Sequence, residues 1–313
     1  MILAAGQGTR MQPLSDLRAK PALPVLGLPV IVTLLEFLKK YGVREVLINV
    51  HHRAESIRQA VRDYGPKEVS VTWSEEEKLL GTGGGIRRAA DFLRQSETSV
   101  VLGGDALLDL DLGAAIQRHR QRRSGHTTLL LRRDGRSQRF GSIGIDSAGE
   151  VARIGRRYRR SGEADSGVFL SARLFSAHAF NDLPDRAAFE DLSDWLIPRL
   201  ERGSGGIYGD LLEADRCVWE PAGTPAEYLE VNLRPPALSY LEAGTMLRRT
   251  GTVVDGSRII GRGARLGEGC RLERCVIWEE ERVPPNQTGD HGVFASGRFH
   301  PCPDRIDDET VES

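Results

Sequence analysis

Near the start of the chain, Leu3-Ala-Ala-Gly-Gln-Gly-Thr-Arg-Met-Gln-Pro-Leu-Ser15 sets Gly6, Gly8, Thr9 and Arg10 in one tight stretch, with Lys20 ten residues after Arg10. Small residues leave backbone N–H groups free, and glycine permits conformations and close approaches that a Cβ forbids. A hydroxyl and a fixed cation at the end of such a loop suit a polyphosphate. Arg10 can grip two phosphate oxygens together, whereas Lys20 supplies a movable point charge. The stretch has no Gly-Lys-Ser/Thr ending, so it is not a P-loop, and Gly6-x-Gly8 lacks the third glycine of the dinucleotide fingerprint.

Asp105 follows the apolar run Val100-Val-Leu-Gly-Gly104. A hard carboxylate at a strand's end is what a Mg²⁺–triphosphate complex needs. Asp109 and Asp111, further along, read as caps of the next helix. His51-His52 invites a metal reading, but adjacent residues in extended chain point to opposite sides, which favours packing. The runs Arg156–Arg160 and Arg118–Arg123 read as solvated faces.

These residues need a scaffold of alternating elements. Met1 to Ala5 is the tail of a short apolar strand. Pro29–Tyr41 has a helical apolar face closed by Gly42, followed by a strand at Glu45–Val50, a helix at Arg53–Tyr64 and a strand at Val69–Trp73. A helix at Gly84–Arg94, a strand at Ser99–Gly103, a helix at Leu112–Arg122 and a strand at Thr127–Arg132 continue the pattern. Crossover units of this length predict an α/β domain with a mainly parallel sheet, ligands binding at the strands' carboxyl ends. From Gly141 to about Asn232 the pattern is mixed: short strands at Gly144–Asp146 and Gly167–Ser171, a helix near Leu192–Glu201 and a strand near Cys217–Trp219.

From Gly251 the character changes. Val254, Ile260, Leu266 and Leu272 recur every six residues, the hexad of a left-handed parallel β-helix. The spacing predicts about two coils, ended by Pro284-Pro285, too few for the trimer site of a β-helical acyltransferase. Residues 301–313 are acidic, polar and expected to be disordered. The reading is therefore a domain over 1–236, a hexapeptide-like segment over 251–300 and a tail over 301–313.

The 313 residues suggest about two domains. A formal net charge of −1 gives no basic excess for nucleic acid. No apolar run reaches the ~18 residues of a membrane span, and Met1 leads straight into a strand, against a signal peptide. Cys217, Cys270, Cys275 and Cys302 lack Cys-x-x-Cys spacing and read as reduced, structural and cytoplasmic.

The N-terminal string, run on through Lys20-Pro-Ala-Leu-Pro-Val25, resembles the signature of the sugar-nucleotide pyrophosphorylases, which join a nucleoside triphosphate to a sugar 1-phosphate. That family usually has a few more residues in its first strand. The resemblance spans about Met1 to Asn232 and implies a Rossmann-like three-layer nucleotidyltransferase domain. It implies that Ala4, Ala5, Gly6, Gly8, Thr9 and Arg10 hold the nucleotide, that Lys20 bridges the phosphates of both substrates and that Asp105 binds Mg²⁺. Glu76-Glu-Lys-Leu-Leu-Gly81-Thr-Gly-Gly-Gly85 resembles the base-reading segment, with Gly81 and Thr82 meeting the base and the helix start favouring anions. A carboxylate at Glu76 can accept from both N1–H and N2–H₂ of guanine, which favours GTP, although relatives that use UTP also carry the triple glycine. Phe140-Gly141 and Asp165-Ser-Gly167-Val-Phe resemble the two sugar-contacting segments, implying sugar contacts at Gly141 and Gly167.

Trp219-Glu-Pro-Ala-Gly-Thr-Pro-Ala-Glu-Tyr-Leu-Glu-Val-Asn232 resembles the segment that closes the family's catalytic domain, with one serious departure. Pro221 stands where the family has its second metal aspartate, and proline cannot ligate. Glu220, adjacent, is the candidate replacement. Ala19 replaces the proline before Lys20, and the Glu-Lys pair used at the sugar is not evident near Arg153–Arg157. The reading most like this pattern is the mannose-1-phosphate guanylyltransferase branch: GTP, mannose 1-phosphate and Mg²⁺, with homo-oligomer formation left open. The alternative is a homologue without catalysis that binds nucleotide or sugar nucleotide and regulates a partner.

Overall fold

The computed structural model of the protein describes residues 1–122 and 126–303. Arg123, in the arginine cluster, and most of the acidic tail, 304–313, lie outside the described residues.

The core is a parallel quartet. Ile2–Leu3 lies between Glu45–Val50 and Thr98–Gly103, and Ser70–Glu75 extends the sheet beyond Glu45–Val50. Five of the six residues of Glu45–Val50 are buried, as expected for a strand covered on both faces. Alternation sorts the side chains into two cores. Ile2, Val46, Ile48, Val50 and Leu102 face the helices Val30–Lys40 and Ala54–Tyr64 in one core. Met1, Leu47, Val101, Leu129 and Leu131 meet Ile86, Leu93 and Trp195 in the other. A sheet with apolar layers on both faces is the three-layer arrangement the sequence predicts.

Beyond Thr98–Gly103 the sheet continues through the 14-residue strand Glu163–Ser176, antiparallel to it. The sequence suggests only Gly167–Ser171 here, because bulges interrupt the strand's alternation. Its second half carries Thr127–Arg132 and then Ile207–Leu212, while its first half carries Ile143–Asp146 and Val151–Ile154.

The helix expected at Gly84–Arg94 begins instead at Gly81 and breaks into Gly81–Arg88 and Ala90–Leu93. Three glycines there make room for a neighbouring segment. A Cβ on Gly83 would stand 2.3 Å from the Phe189 ring, and one on Gly84 2.3 Å from the Ala187 carbonyl. The helix Ala243–Thr250, with no forecast in the sequence, joins the two parts of the chain.

The C-terminal strands stack in parallel one coil apart: Arg258 pairs with Cys275 and Cys275 with Gly292. Pro284-Pro285 does not end this pattern, as the hexads predict, but turns a corner into the strand Thr288–Ala295. Proline is tolerated there because a corner asks for no ladder hydrogen bond. Antiparallel strands Val253–Asp255 and Arg298–Pro301 close the two ends of the stack. Among the described residues, no helix is long and apolar enough to cross a membrane.

Candidate active site

Parallel register brings the candidate residues together. Leu3 pairs with Asn49 on one side and Gly103 on the other, and Asn49 pairs with Ser74. The residues following these strand ends therefore emerge side by side: the loop from Ala4 to Arg10, Asp105 and Glu76. They line one cleft of about 640 Å³ together with Lys20, Gly81 and Thr82. Gly8 has φ 67°, a left-handed conformation, and a Cβ on Gly6 would stand in open space.

Lys20 occupies a short turn, Lys20–Ala22, and is nearly buried. Its Nζ lies 2.5 Å from Oδ2 of Asp105, whose side chain keeps 39% of its surface open. Burial alone would push the Asp105 carboxyl up. The Lys20 charge and hydrogen bond, with a smaller contribution from Arg10, outweigh it and hold the group below the usual carboxylate range. The pair faces the loop from Ala4 to Arg10 across the cleft.

At the other end of the cleft Glu76 is 2% exposed. Its Oε1 accepts from Asn49 Nδ2 at 2.7 Å and its Oε2 from the Leu80 amide at 3.1 Å, while Asn49 Oδ1 accepts from the Ala4 amide at 2.8 Å. Glu76 thus ties the first strand to the start of the glycine helix. Asn49, missed by the sequence reading, left one signal: an amide near the end of an otherwise apolar strand.

The glycine helix does not offer its N-terminus freely. Glu190 Oε2 accepts from the Thr82 amide at 3.2 Å, and the Phe189 carbonyl accepts from the Gly84 amide at 3.0 Å. The anion-favouring helix start read from the sequence is therefore capped by protein. Asp191, from the same strap, accepts from the Thr82 hydroxyl at 2.6 Å and forms a buried ion pair with Arg173. Ser171 also lines the cleft, held at φ 54° in the bulged strand. Neither Glu190 nor Ser171 carried a signal, since both arrive through tertiary packing.

Glu220 is not brought to Asp105. It stands on Val218–Pro221 opposite Leu107, and its carboxylate pairs with Arg136 at 2.8 Å. Pro221 lies opposite Ala106, directly after Asp105. Gly141 and Gly167 are not among the residues that line the cleft. Glu227 comes close instead: its Oε2 accepts from the Gly223 amide at 2.7 Å and its Oε1 from Arg139 at 2.5 Å. Glu227 is the third helical residue after the capping Thr224, a capping-box position legible in the sequence. His51 Nδ1 and His52 Nε2 each bond a backbone carbonyl, at 2.7 and 2.9 Å.

Residues 1–233 match the nucleotidyl transferase family. The chain is 27% identical to a mannose-1-phosphate guanylyltransferase of Mycobacterium tuberculosis, over 90% of this chain and 80% of that protein. It is 26% identical to a UTP–glucose-1-phosphate uridylyltransferase of Synechocystis, over 97% of this chain and 88% of that protein. In fold it resembles HddC from Yersinia pseudotuberculosis, solved with GMP-PN, at a TM-score of 0.61 and 24% identity, covering 74% of this chain and 96% of that one.

Proposed function

The chain belongs to the nucleotidyl transferase family, and from that premise we propose that it condenses a nucleoside triphosphate with a sugar 1-phosphate. In the proposed reaction a phosphate oxygen of the sugar 1-phosphate attacks the α-phosphorus of the nucleotide. A new P–O bond forms, the α–β bridging bond breaks, and pyrophosphate leaves with that electron pair. The observation that carries the reading is the Lys20–Asp105 pair beside the phosphate loop. Two anions must meet there, so positioning and charge neutralisation do most of the work.

In this reading Gly6, Gly8, Thr9 and Arg10 hold the triphosphate, and Lys20 turns from Asp105 toward the phosphates of both substrates. Asp105 is then the protein ligand of Mg²⁺. Mg²⁺ commonly takes one or two carboxylates and fills its remaining positions with phosphate oxygens and water, and one ionised carboxylate open to the cleft fits that habit. When bound, the metal would neutralise charge on the triphosphate. Asn49 and Glu76 shape the base end. Both Glu76 oxygens are already bonded within the protein, so that carboxylate does not read guanine, and the choice of GTP and mannose 1-phosphate as the favoured pair draws on relatives. The guanylyltransferase of M. tuberculosis supports that choice, and the uridylyltransferase of Synechocystis names the competing one. The reaction is assigned to the cytoplasm.

A second reading, a homologue that binds nucleotide without catalysis, draws on Pro221 beside Asp105. Pyrophosphate release, measured with Mg²⁺ across four nucleoside triphosphates and a panel of sugar 1-phosphates, separates the two. Release dependent on both substrates and lost in Asp105→Asn supports the enzyme. Nucleotide binding without release supports the second reading.

A further inference from the structure

The loop that carries Lys20 is held on both flanks by one corner of the C-terminal stack. On the near side, Arg18 Nη2 lies 2.5 Å from Oε1 of Glu279, and the Arg18 guanidinium sits 4.5 Å from the centre of the Trp278 ring. On the far side, Trp278 Nε1 donates to the Tyr228 hydroxyl at 3.1 Å, and that hydroxyl donates to the Pro24 carbonyl at 2.8 Å. Tyr228 is fully buried and Trp278 is 3% exposed, so water does not compete for these bonds. Asn232, one turn beyond Tyr228, adds a bond to the same carbonyl at 3.3 Å and accepts from the Leu26 amide at 2.9 Å.

Of two consecutive residues of the stack, Glu279 thus pairs with Arg18 directly and Trp278 reaches Pro24 through the Tyr228 hydroxyl, and Arg18 and Pro24 bracket Lys20. We infer that Trp278 and Glu279 are positioning residues for Lys20, so that the C-terminal stack sets the geometry of the catalytic loop. The inference deepens the proposed reaction and rests on it for Lys20's catalytic role. The clasp itself stands on geometry alone. Two further contacts make the coupling stiff. The Ala19 amide donates to Ser56 Oγ at 3.0 Å, and Lys20, its side chain nearly buried, reaches Asp105 with Nζ. A loop pinned at Arg18, Ala19 and Pro24 leaves Lys20 little freedom except at its tip. Misplacement of such a group by a fraction of an ångström is costly, because the reacting oxygens must be held in line.

The test uses the full chain carrying Trp278→Phe with Glu279→Gln, which keeps an aromatic ring at 278 and the side-chain volume at 279 but removes the N–H and the charge. Amide hydrogen exchange across residues 18–25 should quicken about fivefold, with residues 45–50 unchanged. The turnover number should fall about tenfold while the nucleotide KM stays within about twofold. A purely structural role would instead lower thermal stability and shift both kinetic constants together. Unchanged exchange at 18–25, or quickened exchange with an unchanged turnover number, overturns the inference. If the wild-type chain transfers no nucleotide to any sugar phosphate, the proposed reaction falls. Exchange then decides by itself: quickening confined to 18–25 upholds the clasp, and no quickening overturns it.

Discussion

Lys20 Nζ and Asp105 Oδ2 stand 2.5 Å apart beside the loop from Ala4 to Arg10, and the lysine's charge and hydrogen bond hold the aspartate below the usual carboxylate range. The sequence separates them by 85 residues, and parallel pairing of Ile2–Leu3 with Thr98–Gly103 closes that gap. In the proposed reaction the two would part, the lysine turning to phosphate and the aspartate to a divalent cation.

Asp105→Asn keeps the shape of the carboxylate and removes its charge. Pyrophosphate release should fall by about two to three orders of magnitude, with nucleotide binding in the absence of Mg²⁺ retained or improved, since one anion has left a site built for phosphates. Isothermal calorimetry with and without Mg²⁺, alongside the release assay, reads both. A loss of binding without metal that matches the loss of release would argue that Asp105 acts only through folding.

Gly85→Ala should weaken nucleotide recognition at the base end. A Cβ there would stand 2.8 Å from Asn49 Nδ2 and 3.1 Å from Glu76 Oε1, so the Asn49–Glu76 bond must shift. The expected result is a nucleotide KM raised about tenfold, with the sugar-phosphate KM little changed. Equal rises in both would place the defect elsewhere.

Arg173→Ala leaves the Asp191 carboxylate buried without its countercharge, both residues being 2% exposed. Urea unfolding should show a loss of about 3 kcal/mol, and Arg173→Met with Asp191→Leu should recover part of it, because a packed apolar pair carries no desolvation cost. No recovery would mean that the bond from Thr82 to Asp191 matters more than the charge.

His119 gives the fold an acid-side pH dependence. It is 1% exposed, with Nδ1 and Nε2 at 2.8 and 3.0 Å from the hydroxyls of Thr128 and Ser176, and burial pushes its pKa down from 6.5 to about 4. Above pH 6.5 it is neutral in both folded and unfolded chains. As the pH falls from 6.5 to about 4 the unfolded chain takes up a proton that the folded one refuses, so this contribution to stability is lost at up to about 1.4 kcal/mol per pH unit. Urea midpoints between pH 7 and pH 4 should therefore drop more steeply in the wild type than in His119→Asn. Equal slopes would sink the assignment.

Much of the cleft was legible before any coordinates. Gly6, Gly8, Thr9, Arg10 and Lys20 sit in one short stretch whose residue types suit a polyphosphate, and Asp105 follows the apolar run Val100-Val-Leu-Gly-Gly104. Local chemistry and strand periodicity are properties of adjacent residues, so the sequence displays them directly. That is also why the quartet of parallel strands, and with it the placing of these groups at the strands' carboxyl ends, could be forecast.

What the tertiary structure decided is everything that depends on which distant segment arrives beside another. The capping of Thr82 by Glu190, the holding of Glu76 by Asn49, the pairing of Glu220 with Arg136 and the approach of Glu227 to Gly223 are all of this kind. So are the reach of Glu279 to Arg18 and that of Trp278, through Tyr228, to Pro24. A carboxylate in a sequence reads the same whether its partner is a metal, a base, an amide or an arginine. Burial and a partner's position choose among these, and only the packing of the finished fold sets both.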